Sequence, residues 1–334
     1  MAMSAKRTLP ILCFLLLSAC GFSEGIPTAT PYEPESTTPA PTRTNTPEPT
    51  ETPTPTATVT PIPTYSLNQA YQQITSWVED NGGCQLPCLW GFTPGQTSLA
   101  DIAQLHATFE EMYLAEDFGI WTSRHGDRGG VSLIIYDEDT QTNIDMSYDF
   151  KGEEKLKLIT FLAKAFQVIG SGFERELHYI FGSDELLELV DEYTLSNLLI
   201  NYGSPTSILI APYYDERPEV PGPSWIWFSV VLIYEDQGIL AEYIMPRRMI
   251  GDSYAACVDQ NLEISIITWD PSQSIELKEI VSVSSFLGIS PNFIDYFKPL
   301  EEATTLTIDQ FTEILQDPET DACIYTPMEM WPNP

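Results

Sequence analysis

The thiol of Cys20 directly follows a stretch with the features of an export signal. Lys6 and Arg7 give the chain a basic start, and a short apolar run covers residues 11–17. A basic start, a short apolar run and small residues before a cleavage point are typical of a secretory signal peptide. The apolar run is too short to cross a bilayer as a permanent helix. Residues 1–19 are therefore predicted to be a signal peptide.

The segment Leu17-Ser18-Ala19-Cys20 resembles the lipobox of bacterial lipoproteins. The resemblance covers only this N-terminal stretch. It implies that a diacylglyceryl group alkylates the Cys20 thiol and that cleavage just before Cys20 makes it the mature N-terminus. Acyl chains in pairs anchor a protein stably, so the resemblance implies an extracytoplasmic protein held on a bacterial membrane by its lipid. The alternatives are a secretory signal with a chance cysteine and an uncleaved membrane anchor.

Residues 20–65 are predicted to comprise the lipid anchor and a disordered stalk. The stalk, from Pro27 to Thr64, consists almost entirely of threonine and proline. Such a composition cannot bury enough apolar surface to offset the entropy of ordering the chain. Proline favours an extended conformation of roughly 3.1 Å per residue, which gives a reach on the order of 100 Å. The threonines could carry O-linked sugars. The stalk is therefore expected to hold the folded part away from the membrane.

Four cysteines remain in the folded part, an even number that suits an oxidising compartment. The spacing C-x3-C predicts a Cys84–Cys88 disulfide, which leaves Cys257–Cys323 as a long-range bridge. A zinc site is the weaker alternative, because zinc favours C-x2-C pairs with histidine partners. The three histidines are scattered along the chain. No metal and no cofactor are predicted.

The histidines also decide whether a nucleophilic serine could be activated. They are His106, His125 and His178, and the Gly-Ser-Gly at 170–172 lacks the pattern of a nucleophile elbow. His125 lies in Ser123–Gly130, a basic and glycine-rich segment interpreted as a flexible loop. That loop either contacts an anionic group or is an ordinary exposed turn. No catalytic residue is predicted from these patterns.

Carboxylates form one further candidate site. Asp137, Glu138 and Asp139 cluster on a predicted turn, with Asp145 close in sequence. Clustered carboxylates can hold Ca²⁺, but the EF-hand pattern and its glycine are absent, so a solvated turn is the favoured interpretation. A carboxylate pair for glycoside hydrolysis stays open as an alternative, because so acidic a chain contains many such pairs.

Aromatic residues supply the predicted binding surface. Tyr213, Tyr214, Trp225 and Trp227 surround a proline-rich segment. Strand alternation places Trp225 and Trp227 on one face. That face is either a platform for a sugar or a peptide, or a cover for a second layer of the core.

The charge of the chain excludes several partners. The chain has 48 acidic and 15 basic residues, and only five of the acidic and three of the basic ones precede residue 66, which leaves a net charge of −31 for residues 66–334. This charge argues against binding to nucleic acid or docking on anionic lipid. It is compatible with a cationic partner or with a solvated, self-repelling surface.

Hydrophobic periodicity predicts an α+β fold for the acidic region 66–334. The predicted elements are helices at 67–80, 98–115, 185–201 and 308–315, and strands at 131–136, 143–150, 207–211, 225–234, 239–245 and 262–269. The segment 156–169 fits either a helix or a strand. The predicted fold packs helices on one or more antiparallel sheets. Two tandem helix-plus-hairpin halves, about 66–170 and 171–334, are a finer version of this prediction.

Two fragments resemble parts of a known lipoprotein family. They are 93–97 (Thr-Pro-Gly-Gln-Thr) before a helix, and 202–205 (Tyr-Gly-Ser-Pro) between a helix and two strands. They resemble the small envelope lipoproteins of the BamE/SmpA type and the fold-related β-lactamase inhibitor proteins. The resemblance implies a helix pair against an antiparallel sheet. The distance between the fragments implies tandem copies, and the resemblance carries no residue-level function.

These observations predict a lipid-anchored binding or interaction protein. Its expected partner is the membrane through the lipid, together with an unidentified protein, peptide or glycan, and not nucleic acid. The alternatives are a structural accessory of envelope assembly and an envelope hydrolase that uses acidic residues. An exposed aromatic patch would favour binding, whereas a closed pocket with convergent carboxylates of perturbed pKa would favour the hydrolase.

Overall fold

The computed structural model describes the folded region of the chain. It covers residues 64–137, 139–169, 176–179, 184–215, 225–257, 263–273, 276–283, 296–317 and 322–331. These residues belong to one compact unit, Val59–Pro334. The predicted signal peptide, Cys20, the predicted stalk up to Pro63, and Glu138 lie outside the described residues.

The described residues form helices and antiparallel sheets, so the predicted α+β class is confirmed. The helices are α1 (Leu67–Asp80), α2 (Leu99–Thr108), α3 (Asp184–Leu189), α4 (Leu195–Tyr202), α5 (Leu277–Val283), α6 (Leu300–Ala303) and α7 (Ile308–Leu315). The strands are β1 (Met112–Leu114), β2 (Phe118–His125), β3 (Arg128–Tyr136), β4 (Thr140–Asp149), β5 (Leu158–Ile169), β6 (Glu176–Tyr179), β7 (Ser207–Asp215), β8 (Trp225–Tyr234), β9 (Ile239–Pro246), β10 (Arg248–Ile250), β11 (Ser253–Cys257), β12 (Glu263–Trp269), β13 (Lys298–Pro299) and β14 (Cys323–Pro327).

One large sheet dominates the architecture. Its strand order is β1-β2-β3-β4-β5-β12-β9-β8-β7-β13, and β6 pairs with β5 beside this path. The strands from β2 to β5 and from β7 to β9 pair with their neighbours in sequence, whereas β5 and β12 join the two groups antiparallel. A second, three-stranded sheet has the order β10-β11-β14.

Side-chain alternation gives the large sheet two different faces. The helical face carries the main core, which includes Leu133, Ile144, Ala163, Ile264, Tyr243 and Val230 on successive strands. The polar face carries, on the same strands, Ser132, Asp145, Lys164, Glu263, Ser265, Glu242 and Ser229. The helical face is apolar because it packs under helices; α1, for example, buries Ala70, Ile74 and Val78.

Part of the polar face is also covered. Leu277 and Ile280 of α5 pack against a small apolar cluster that contains Leu158, Leu240 and Ile267. The Glu279 carboxylate of α5 lies 2.9 Å from Lys151 Nζ and 3.1 Å from Lys157 Nζ. These partly exposed ion pairs contribute at most about 1 kcal/mol each. The apolar cluster, and not the ion pairs, therefore holds α5 on the sheet.

Asn81 organises the first disulfide loop. It follows α1 with a left-handed φ of 54°, a conformation that asparagine tolerates better than most residues. Its buried amide donates to the carbonyl oxygens of Cys84 and Cys88 at 2.8 and 2.9 Å, and its Oδ1 accepts from Trp90 N at 2.9 Å. The amide of one side chain thereby fixes the path of the loop, independently of the sulfur bridge.

Both disulfides join the predicted pairs, Cys84–Cys88 and Cys257–Cys323. The second bridge connects residues that lie directly opposite each other on β11 and β14. It therefore ties the C-terminal strand to the small sheet.

The helix predicted over 98–115 is shorter in the structure. α2 begins at the predicted capping box but ends at Thr108, and residues 112–114 form β1 instead. The Tyr113 hydroxyl donates to the carbonyl oxygen of Tyr65 at 2.9 Å, and β1 pairs with β2. The apolar residues of this stretch fit both patterns, and tertiary pairing selects the strand.

The helix predicted over 185–201 is broken into two. A 3-10 turn at Asp191–Tyr193 separates α3 from α4. The break turns Tyr193 into the core, where its ring stacks on Phe161 at a centroid distance of 4.3 Å. Burial of an aromatic ring of this size is worth roughly 2 kcal/mol or more, which favours the break at this position.

Candidate functional site

A pocket of about 300 Å³ opens on the polar face over β2 to β5. Its polar lining comes from alternate positions of neighbouring strands: Ser123 and His125 of β2, Arg128 and Ser132 of β3, Asp145, Ser147 and Asp149 of β4, and Thr160 of β5. Leu158, which also packs beneath α5, forms part of the wall. The pocket therefore lies next to the part of the polar face that α5 covers.

A tight turn joins β2 and β3, where the sequence pattern predicted a flexible loop. The segment Ser123–Gly130, expected to be a flexible loop, is the end of β2, a two-residue turn and the start of β3. Gly126 has a φ of +65°, as the first position of such a hairpin loop requires. His125 and Arg128 face each other across the turn, and both line the pocket.

Asp149 and Arg128 form an ion pair at the wall of the pocket. Arg128 Nε lies 3.1 Å from Asp149 Oδ2, although the N–H is not aligned for a hydrogen bond, and this oxygen has no hydrogen-bond partner among the described residues. The second carboxylate oxygen accepts from Lys151 N at 2.7 Å. Asp149 is 5% exposed. The ion pair compensates a charge that would be costly to bury alone.

Asp145 lies opposite Ser132 in the floor of the pocket. Burial raises the pKa of this carboxyl, while a hydrogen bond from Ser132 and the charge of Lys164 act in the opposite direction. Two neighbouring groups thus help to hold a partly buried carboxylate in its charged form. Asp145 is among the residues that line the pocket.

Two further carboxyls, Glu263 and Glu242, continue the polar row on β12 and β9. Glu263, 6% exposed, lies opposite Lys164. Burial raises its pKa to about 7, with the Lys164 charge opposing and the Asp145 charge adding to the rise. Glu242 is 1% exposed, and the Ser229 hydroxyl donates to its Oε1 at 2.6 Å. Burial raises the pKa of Glu242 to about 8, the Ser229 hydrogen bond opposes this rise and the Glu263 charge adds to it.

The buried carboxyls do not form a reactive pair in the pocket. Glu242 and Glu263 are absent from its lining, and Asp149 is engaged with Arg128. In the part of the chain that the structure describes, no three His, Cys, Asp or Glu side chains come together as metal ligands. The arrangement offers hydrogen bonds to a ligand more readily than proton transfer.

The other candidate residues lie elsewhere. His106 Nε2 lies 2.6 Å from the Tyr148 hydroxyl, and burial, followed by the Arg124 charge, lowers the pKa of His106. His178 belongs to β6, of which only the backbone is described. Asp137 and Asp139 lie between β3 and β4 and are exposed.

The predicted aromatic surface is described only in part. β7 and β8 place Tyr213 opposite Trp227 and Asp215 opposite Trp225. The side chains of Tyr213, Tyr214 and Trp225 lie outside the described residues, and Trp227 is partly buried. The binding role of these four aromatic residues stays a prediction.

Sequence reasoning missed the polar-face pocket because it missed β2. A usable signal is the alternation on β4, where Asp145, Ser147 and Asp149 alternate with the buried Ile144, Met146 and Tyr148. No helix in the described part is both long and apolar enough to cross a membrane. Comparison of the chain with protein-family models, curated proteins and solved structures finds no match.

Proposed function

We propose that this chain is a lipid-anchored, extracytoplasmic binding protein whose ligand occupies the polar-face pocket. The observation that supports this proposal most is the pocket of about 300 Å³ lined by hydroxyls and carboxylates from four strands. This volume lies at the lower limit of small-molecule sites. Strands hold such groups more rigidly than loops do, which favours recognition of a specific ligand.

The geometry favours binding over hydrolysis. Glu242 and Glu263 have the raised pKa values expected of catalytic acids, yet both are buried away from the pocket. A general acid must come within hydrogen-bond reach of the group that it protonates. Among the described carboxyls whose pKa is raised, Asp145 is the one that lines the pocket.

We also infer that the region 66–334 consists of two repeated units, about 66–170 and 171–334. In each unit a pair of helices precedes strands that pair with their neighbours in sequence: α1 and α2 precede β2 to β5, and α3 and α4 precede β7 to β9. The two groups meet through β5 and β12. This arrangement supports the tandem organisation, with the pocket in the first unit.

The anchor is tested by Cys20→Ala. A lipid on the Cys20 thiol cannot form in this variant, so we expect the protein to leave the membrane fraction or to keep its signal peptide. Fractionation and the mass of the mature protein measure both outcomes. Wild-type fractionation together with wild-type mature mass would contradict the proposed lipidation.

The pocket is tested by Ser147→Phe, which places a ring among the lining residues. The full chain in detergent is immobilised and exposed to solubilised material from its native envelope. We expect at least a tenfold loss of retained material for Ser147→Phe. The matched control is Ala107→Phe, because Ala107 is exposed on α2. Equal retention by the two folded variants would contradict a binding role for the pocket.

A further inference from the structure

A second cavity, the α7–β14 groove, lies between helix α7 and the C-terminal strand β14. Its volume is about 310 Å³, and it has no lining residue in common with the polar-face pocket. Ile314 is 41% exposed and Tyr325 is 48% exposed. Large apolar side chains that are exposed together at a cavity indicate an interaction site, whereas single scattered ones do not. The apolar lining consists of Leu306, Phe311, Ile314, Leu315, Ile324 and Tyr325.

β14 is an edge strand of the described three-stranded sheet, where it pairs with β11. In the same register, Met328 N donates to the carbonyl oxygen of Asp252 at 3.0 Å. Residues of an antiparallel pair alternate between hydrogen-bonded and non-hydrogen-bonded positions. Ile324 and Thr326 therefore bond to β11, whereas the backbone N–H and C=O of Tyr325 point away from it.

Two further observations agree with this direction. The Cα atoms of Cys257 and Cys323 are 4.0 Å apart, and the shorter Cα spacing belongs to pairs that exchange no hydrogen bonds. Among the described residues, none of β11 lines the groove, so the groove adjoins the outer edge of β14. Outward backbone groups beside an apolar groove are the features that an extended peptide uses when it adds a strand to a sheet.

The surroundings of the α7–β14 groove are acidic. Residues 299–334 contain eight acidic residues and no lysine, arginine or histidine. Glu302 and Glu313 are exposed and lie within two positions of the lining residues Thr304 and Ile314. Such an acidic rim attracts a cationic segment. It disfavours a second copy of this chain, because two acidic rims repel each other.

We propose that the α7–β14 groove binds an extended, cationic segment of a partner protein, which adds as a strand to β14. The N–H of Tyr325 donates to the segment and its C=O accepts from it. An apolar side chain of the segment enters the groove against Ile314, and lysine or arginine side chains meet the acidic rim. This site goes beyond the proposed function, because it lies apart from the polar-face pocket and binds a macromolecule.

The probe is a fluorescent heptapeptide, Lys-Val-Lys-Leu-Lys-Val-Lys, and fluorescence anisotropy measures its binding to the full chain in non-ionic detergent. We expect it to bind about tenfold more tightly than the same peptide with glutamate in place of lysine, and less tightly as the salt concentration rises. N-methylation of either the lysine or the valine and leucine nitrogens blocks one edge of the extended peptide. One of these two methylated peptides should lose its affinity and the other should keep it.

Two variants test the two halves of the site. Tyr325→Pro removes the outward N–H, and a sheet edge tolerates proline. We expect a loss of affinity of about tenfold relative to Tyr325→Thr, the matched control, which removes the ring but keeps the N–H. Ile314→Gln should weaken binding severalfold, because it removes apolar surface from the groove. Its matched control is Ile200→Gln, since Ile200 is an exposed isoleucine on α4.

Four results would overturn the proposal. They are no binding of the lysine peptide, equal binding of the lysine and glutamate peptides, unchanged binding of both N-methylated peptides, and equal affinity of the folded variants Tyr325→Pro and Tyr325→Thr. Equal affinity of Ile314→Gln and Ile200→Gln would exclude the groove from the site. A wild-type dimer in sedimentation that Tyr325→Pro dissociates would assign the edge of β14 to a second copy of the chain, which also contradicts the proposal.

Discussion

Glu242→Gln is expected to stabilise the folded protein by an amount that grows as the pH rises. Burial raises the pKa of Glu242 from 4.5 to about 8, so the folded state favours the protonated acid, whereas the unfolded chain ionises near 4.5. The wild-type protein therefore has its full stability below pH 4.5, where Glu242 is protonated in both states. It loses stability as the pH rises to about 8, because the folded state must then keep a proton that the unfolded chain has released. Each pKa unit is worth about 1.4 kcal/mol. The free energy of unfolding of Glu242→Gln should therefore exceed that of the wild type by at most about 5 kcal/mol at pH 9.

Glutamine suits this test because it keeps the shape of the side chain and an oxygen that can accept from Ser229. Urea unfolding of the full chain at pH 5, 7 and 9 gives the free energy of unfolding of each variant. Glu235→Gln is the matched control, since Glu235 is exposed in the turn between β8 and β9. Its effect should stay within about 0.5 kcal/mol at every pH. A gain from Glu242→Gln that is equal at pH 5 and pH 9 would contradict the raised pKa.

Elements with local signals could be predicted from the sequence. α1 and α7 have the predicted bounds, because each follows a capping residue and carries an apolar stripe. The turn Glu235–Gly238 between β8 and β9 was equally readable, since its polar residues separate two apolar strands. In each case the deciding interactions connect residues only a few positions apart.

Non-local pairing could not be predicted in the same way. β5 joins β12 with Leu158 opposite Trp269, and no local pattern specifies a partner so far along the chain. The small sheet pairs β11 with β14, which are again far apart in the sequence, with β12 and α5 to α7 between them. The predicted Cys257–Cys323 bridge was the single indication of that pairing.

The polar-face pocket depends on register, which the sequence pattern does not give. Polar and apolar residues alternate along β4 in the sequence. Whether the polar side chains form a pocket depends on which strand lies beside β4. The Gly126-Asp127 turn places Ser123 opposite Gly130, and the turn between β3 and β4 places Ser132 opposite Asp145. A shift of one residue would send each of these side chains to the other face. The sequence indicates a turn near Gly126, but it does not indicate that only two residues separate two paired strands there.

Loss of the Cys257–Cys323 bridge is expected to destabilise the protein far more than loss of Cys84–Cys88. The first pair is separated by 66 residues and the second by 4. By chain entropy, the long loop contributes about 4 kcal/mol and the short one about 2 kcal/mol. The two double variants, each with both cysteines replaced by alanine, are compared by urea unfolding at pH 7.

The folded contacts around each bridge widen this difference. Asn81 holds the short loop through the carbonyl groups of Cys84 and Cys88, so that loop keeps its path without the sulfur atoms. β14 is held by its pairing with β11 and by contacts that include the Thr326 hydroxyl, which donates to Ala303 O at 2.6 Å. We therefore expect the long-range variant to unfold at a clearly lower urea concentration. Equal midpoints would show that strand pairing with β11, and not the covalent link, holds the C-terminal strand in place.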